Sequence, residues 1–231
     1  FDETVYNINS IPTSDEALMD SVLLALHDWS CALSLEAEEI EAERGVIHEE
    51  WRSRNDANTR MYNAILPQLY DEYQYTRMPI GTMEVVLNFP HEALRSYYEK
   101  WYRPDQQGII VVGDIDVNKL EAKIKEIFSP IKMPANAPER KYEPVADNKE
   151  PIITIAKDKE QPSTMTYIWH KHPATPNEAK GNIGYLVQNY LFSMISSMMH
   201  ARLEELRQGA NPPFIQAASG DSDFLLSKTA E

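Results

Sequence analysis

The sequence has little with which to cross-link itself. It contains one cysteine, Cys31, in 231 residues, so no internal disulfide can form and cysteine usage says nothing of the redox compartment. Cys31 sits in the apolar helical stretch 26–35, where a thiol reads as a small buried hydrophobe. No run of 18 apolar residues occurs, so no membrane-spanning helix is expected in this stretch, and no signal-peptide pattern is visible. Positive charge is scarce: 22 Lys and Arg stand against 36 Asp and Glu, a formal net charge of −14. Such a chain repels nucleic acid and anionic lipid, and no basic stripe reverses this. G-x-x-x-x-G-K-[ST], G-x-G-x-x-G and G-x-S-x-G are all missing, leaving phosphate-loop and serine-hydrolase chemistry without support. The chain starts at Phe1 without a methionine and stops at Glu231 in what reads as mid-fold, so both ends are expected to be cuts in a longer protein.

What is present is ordinary for a globular protein: 42% hydrophobic and 25% charged residues, enough for a sizeable core. Apolar positions recur at helical spacing from Ala17 to Leu33, with Thr13, Ser14 and Asp15 as candidate caps. A second, glutamate-rich helix is predicted from about Leu35 through Trp51. Others are predicted over 58–70 up to the region of Pro67, at 82–87, over 91–101, over 116–128, and over 177–207 with a break near 193–197. Strands are predicted at 1–8, 108–113, 152–156, 164–170, 214–218 and 224–226. Five prolines from Pro130 to Pro151 mark a linker or extended crossing segment. The expected architecture is α+β, with mixed or antiparallel sheets packed against helices. The expected division is a first domain over 1–132, a Pro-rich linker over 133–150 and a second domain over 151–231.

Chemistry is concentrated in Glu43-Arg44-Gly45-Val46-Ile47-His48-Glu49-Glu50. On a helix Glu43, Ile47 and Glu50 share a face, so two carboxylates flank one apolar residue and are placed to meet one cation. Taken alone, the same spacing describes a solvated acidic face. His48 lies near the opposite face from Glu50. His170 and His172 would share a face of a strand, as a metal pair or as a polar strand end. Met194, Met198 and Met199 read as core fillers, and Tyr97, Tyr98, Trp101 and Tyr102 as core and rim.

The segment E-R-x-V-I-x-x-E resembles the one that supplies the third zinc ligand in the pitrilysin/insulinase family of zinc peptidases. F-D-E-T-V-Y at 1–6 is similar to the end of that family's N-A-x-T strand, and P-I-G-T at 79–82 to a loop before its next helix. L-R-S-Y-Y-E-K-W-Y-R-P at 94–104 followed by I-I-V-V-G-D-I-D at 109–116 resembles its helix–strand unit. S-S-M-M-H-A-R-L-E-E-L-R at 196–207 resembles a later helix. These matches run in the family's order. The family is an inverzincin: two histidines of H-x-x-E-H bind zinc, the intervening glutamate is the general base, and a downstream glutamate completes the protein ligands. The resemblance implies that Glu50 is the zinc ligand and Glu43 an assisting carboxylate near the site. H-x-x-E-H does not occur among the 231 residues, and family order places it upstream of Phe1.

The resemblance further implies two similar domains, the first lacking its leading strands and its H-x-x-E-H helix, the second cut at its C-terminus. It implies zinc (Zn2+) in the intact parent and no tightly held zinc in this stretch, which should therefore be inactive. It also implies a peptide substrate added as a strand to a sheet edge, the second half of the parent chain as partner, and self-association through the cut surface. Among the family's compartments the bacterial periplasm is favoured. The alternative within the family is a non-catalytic scaffold or partner subunit. Outside it stands an unrelated acidic α+β binding protein.

Overall fold

The structure is a computed structural model that describes residues 3–71, 73–140 and 145–222. Seven α-helices are present among them: α1 (Glu16–Cys31), α2 (Ala37–Arg54), α3 (Ala57–Leu69), α4 (Met83–Asn88), α5 (His91–Trp101), α6 (Val117–Phe128) and α7 (Ile183–Arg207). Three of them begin at a side-chain cap. Asp15 caps α1 by accepting from the Leu18 N–H at 3.0 Å, Asp116 caps α6 from Lys119 N–H at 3.1 Å, and Asn182 caps α7 from Tyr185 N–H at 3.0 Å. These bonds satisfy donors that a helix start leaves without partners.

The α+β expectation is overturned: the described residues form helices and irregular segments, with no strand or sheet. The predicted runs at 108–113, 152–156, 164–170 and 214–218 lie outside regular structure, as do residues 3–8 of the first; 224–226 lies outside the described residues. Ile110 and Val112, expected to be buried on both faces, are 88% and 90% exposed, and Ile153, Ile155 and Ile168 are exposed too. The physical reason is that a β-branched apolar run advertises a side-chain environment, whereas a strand exists only where another backbone pairs with it. No described segment supplies that pairing edge. Two smaller expectations also change. The helix α3 runs through Pro67 to Leu69, and α7 is continuous across 193–197. The loss of one ladder bond at Pro67, near the end of α3, costs less than it would at mid-helix.

The chain divides into two compact units that interleave in sequence, one of Asp2–Asp56 with Pro79–Lys141, the other containing Ala57–Met78 and Tyr142–Glu231. In the first, α1 packs on α6 and α2 on α4. Leu23 of α1, Ile40 of α2 and Leu120 of α6 are buried, and Lys119 reaches Glu16 at 2.5 Å while Lys123 pairs with Asp20 along the α1–α6 seam. Tyr98 of α5 donates to the Trp29 carbonyl at 2.9 Å and accepts from Leu33 N–H at 3.3 Å, which closes the C-terminal end of α1. Cys31 is half-buried with its Sγ 3.5 Å from His27 Nε2, so it is not the fully buried hydrophobe expected.

In the second unit, Leu66, Tyr70 and Tyr75 form a core with Leu69, Met78 and Val145 against it. Arg60 of α3 clamps the segment beyond it. Its Nε donates to Asp158 Oδ2 at 2.7 Å and its Nη2 to Asp158 Oδ1 at 2.9 Å and Glu160 Oε2 at 2.5 Å. The Arg60 guanidinium, and then the Glu160 N–H, hold the Asp158 carboxyl down at about 2. That lies below the value of about 3.9 in an unfolded chain. The pair's contribution to stability is therefore complete above about pH 4 and is lost as pH falls through about 2. Asp158→Asn is expected to flatten the acid-side fall of the unfolding midpoint over that window. A midpoint–pH slope identical to that of the parent sequence would refute it.

Candidate functional site

The helix α2 carries both candidate glutamates. Its charge order suits a helix: Glu38 and Glu39 occupy the first turn and Arg52 and Arg54 the last, each complementing the helix dipole. Ion pairs one turn apart reinforce it, Glu49 with Arg52 at 2.7 Å and Glu50 with Arg54 at 3.0 Å. Arg52 also holds the Glu49 carboxyl below the usual carboxylate range.

Only one stripe of α2 is buried, and it is marked by Ile40 and Arg44. At about 100° per residue, Glu43 and Glu50 lie within about 20° of each other, on a flank about 60–80° from Ile40. Glu43 is exposed. Glu50 is 38% exposed and its recorded partner, Arg54, is 74% exposed. A carboxylate oxygen is a normal zinc donor, and an exposed arginine is readily exchanged for another cation, so Glu50 fits zinc as one ligand among several. No group of three or more His, Cys, Asp or Glu that could hold a metal exists among the described residues. Within them, then, a zinc site is not complete.

Three of the six histidines, His48, His172 and His91, are engaged elsewhere. His48 stacks on Trp51, with ring centroids 6.2 Å apart. His172 Nε2 lies 3.0 Å from Asp221 Oδ1 and its ring stacks on Phe192. His91 contacts Glu41 at 2.5 Å; together with Arg44 it keeps the Glu41 carboxyl below its ordinary range, the His91 bond being the larger cause. A broad open cleft lies in the second unit, lined by Met61, Tyr62 and Ile65 of α3 and by the segment 147–173. It is mostly apolar and contains neither candidate glutamate, so its size does not make it the site of the chemistry.

Arg44 is the residue that reading the sequence missed. Its side chain is buried, 8% exposed. Nη2 donates to the Phe89 carbonyl at 2.6 Å, Nη1 donates to the Val86 carbonyl, and Nε pairs with Glu41 at 3.0 Å. The Phe89 ring lies 4.0 Å beneath its guanidinium carbon. The available signal was a charge at i+4 from Ile40, on the apolar stripe.

The family described as "Peptidase M16 inactive domain" matches residues 88–218. The chain belongs to this M16 peptidase family, the pitrilysin/insulinase group that its motifs resemble. It is 33% identical over 224 residues to the "Probable zinc protease PqqL" of Escherichia coli (strain K12), covering 96% of the chain and 23% of that protein. It is 26% identical over 233 residues to the "Zinc protease PQQL-like" of Arabidopsis thaliana, covering 98% of the chain and 23% of that protein. The crystal structure of the periplasmic protease PqqL from Escherichia coli aligns with a TM-score of 0.63 at 28% identity, over 87% of this chain and 22% of that one. The chain thus spans about a quarter of the length of these curated relatives. Glu43 and Glu50 lie outside the stretch that the inactive-domain family matches. No helix among the described residues is long and apolar enough to cross a membrane.

Proposed function

We propose that this chain is one stretch of a zinc-dependent endopeptidase that hydrolyses unfolded peptides, with Glu50 as a zinc ligand and Glu43 as an assisting carboxylate. The observation that carries the reading is the pairing of Glu43 and Glu50 on one flank of α2, within a chain 33% identical to a probable zinc protease. Bound zinc would supply a Lewis acid that polarises a scissile carbonyl and activates water. The residues of this chain do simpler things. Glu50 offers an anionic oxygen from a partly shielded position, and Glu43 adds negative charge two turns away on the same flank, which favours a cation there. Partners in this reading are a peptide substrate and the remaining part of the same protein. The location proposed is the periplasm, by likeness to the Escherichia coli protease. In family terms residues 1–132 form a partial zinc-site domain, 133–150 a linker and 151–231 a partial second domain, a division of sequence and not of spatial units.

One observation favours a second reading, a non-catalytic family member that binds peptide: the matching family is described as an inactive domain. Zinc removal separates the two. Chelation of the full-length natural protein is expected to abolish cleavage of an unfolded peptide, and added zinc to restore it. Cleavage that survives chelation overturns the zinc reading, and peptide binding without cleavage in either state supports the scaffold.

A further inference from the structure

Glu50 shares its helix with the one buried charged side chain of α2, Arg44. Arg44 and Glu50 are six residues apart on α2, about 120° apart around the helix axis. Arg44 is buried, and its partners are Glu41 and the carbonyls of Val86 and Phe89. Two of its bonds end on the Val86 and Phe89 carbonyls at the C-terminal end of α4. Those carbonyls are among the acceptors that a helix end leaves unsatisfied, and a cation there also meets the negative end of the helix dipole. Phe89 supports the guanidinium plane from below at 4.0 Å. Glu41 completes the arrangement, taking Arg44 Nε at 3.0 Å and contacting His91, the first residue of α5, at 2.5 Å. A single buried side chain thus ties α2 to α4 and, through Glu41, to α5.

We propose that Arg44 is the positioning residue for Glu50, a guanidinium lock that sets the rotation of α2 about its own axis. The inference rests on the zinc-ligand reading of Glu50 above. Magnitudes show why rotation matters. With a helix radius of about 5–6 Å including side chains, a turn of about 20° moves a side-chain tip by about 2 Å. Metal–ligand distances tolerate only about 0.2 Å. Apolar contacts alone specify rotation poorly, because Ile40 slides over an apolar neighbour at little cost. Directed bonds to two fixed carbonyls do not slide. Lysine cannot reproduce them, since an ammonium has neither the planar fork nor the flat face that stacks on Phe89.

The test uses the full-length natural protein, with zinc affinity measured by competition against a chromophoric chelator at a temperature well below each variant's unfolding midpoint. Glu50→Gln sets the scale for loss of a ligand. Arg44→Met is expected to weaken zinc binding by about 10–100-fold, the range seen when a group supporting a metal ligand is removed. Arg44→Lys, which keeps charge and length, should recover only part of that loss, and it carries the test if Arg44→Met fails to fold. A folded Arg44→Lys or Arg44→Met protein with wild-type zinc affinity, beside a Glu50→Gln protein that has lost it, overturns the positioning role and leaves the reading of Glu50 intact. A lowered midpoint with unchanged zinc affinity likewise overturns it. Wild-type zinc affinity in Glu50→Gln overturns the reading of Glu50 and this inference with it.

Discussion

Glu50→Gln in the full-length natural protein is expected to lose tightly held zinc and to cut peptide cleavage by more than about 100-fold. Mutating groups that merely support a metal ligand costs about 10–100-fold, and losing a ligand, the role proposed for Glu50, should cost more. Glutamine keeps the shape of the side chain and removes its charge, so the change isolates the donor chemistry: a neutral amide oxygen replaces an anionic one near a divalent cation. Little else should move. The Glu50–Arg54 pair joins a partly exposed carboxylate to an exposed arginine, and surface pairs contribute about 0–1 kcal/mol. The unfolding midpoint should stay within a degree or two of the wild type, which separates lost chemistry from lost fold. The readouts are metal content after gel filtration and kcat/KM on an unfolded peptide. Undiminished cleavage by this variant would remove Glu50 from the site. Glu43→Gln, which alters the carboxylate proposed to assist, should show the smaller effect.

Leu66→Ala is expected to be the most damaging single change to the second unit. Leu66 is 3% exposed and packs with Tyr70 and Tyr75, whose ring centroids are 5.4 Å apart. Deleting a buried leucine side chain costs about 2–5 kcal/mol, from lost transfer energy and the cavity left behind. Alanine is the better helix former, so any loss belongs to packing and not to the propensity of α3. The small number of residues in this core leaves little around the cavity to compensate. Hydrogen exchange of the α3 amides reads the effect within the unit. Protection unchanged to within about 1 kcal/mol would show that this cluster does not hold the unit together.

Much of the helical structure was legible because its causes are local. The apolar spacing from Ala17 onward and the acid at Asp15 define α1, whose cap is the Asp15–Leu18 bond. The run after Asp116 defines α6 in the same way. The errors have physical sources. A proline was read as a stop at 67, yet α3 continues to Leu69. Ser193, Ser196 and Ser197 suggest a break, yet Ser197 Oγ donates to the Ser193 carbonyl at 2.9 Å inside a continuous α7. The strands failed for a larger reason. Ile109, Ile110, Val111 and Val112 have the composition of a buried strand, but composition cannot provide the neighbouring backbone, and here the run is left exposed at Ile110 and Val112.

The candidate site divides along the same line. That Glu43 and Glu50 share a flank follows from helical periodicity alone, and the ordered motifs around them point to the family. Arg44 was different. In sequence it is a cation beside glutamates on an acidic helix, and the expected partner is a carboxylate one turn away. Its partners include Glu41, but also carbonyls 42 and 45 residues further along. By itself the sequence determined the acidity, most of the helices and the cap region of α1, the shared flank of the two glutamates and the family. Only the tertiary structure decided which stripe of α2 is buried, that an arginine lies in it, and that the runs at 108–113, 152–156, 164–170 and 214–218 form no strand among the described residues. Periodicity and capping act between residues within a turn of one another. Buried hydrogen bonds and strand pairing depend on partners that the fold alone brings within reach.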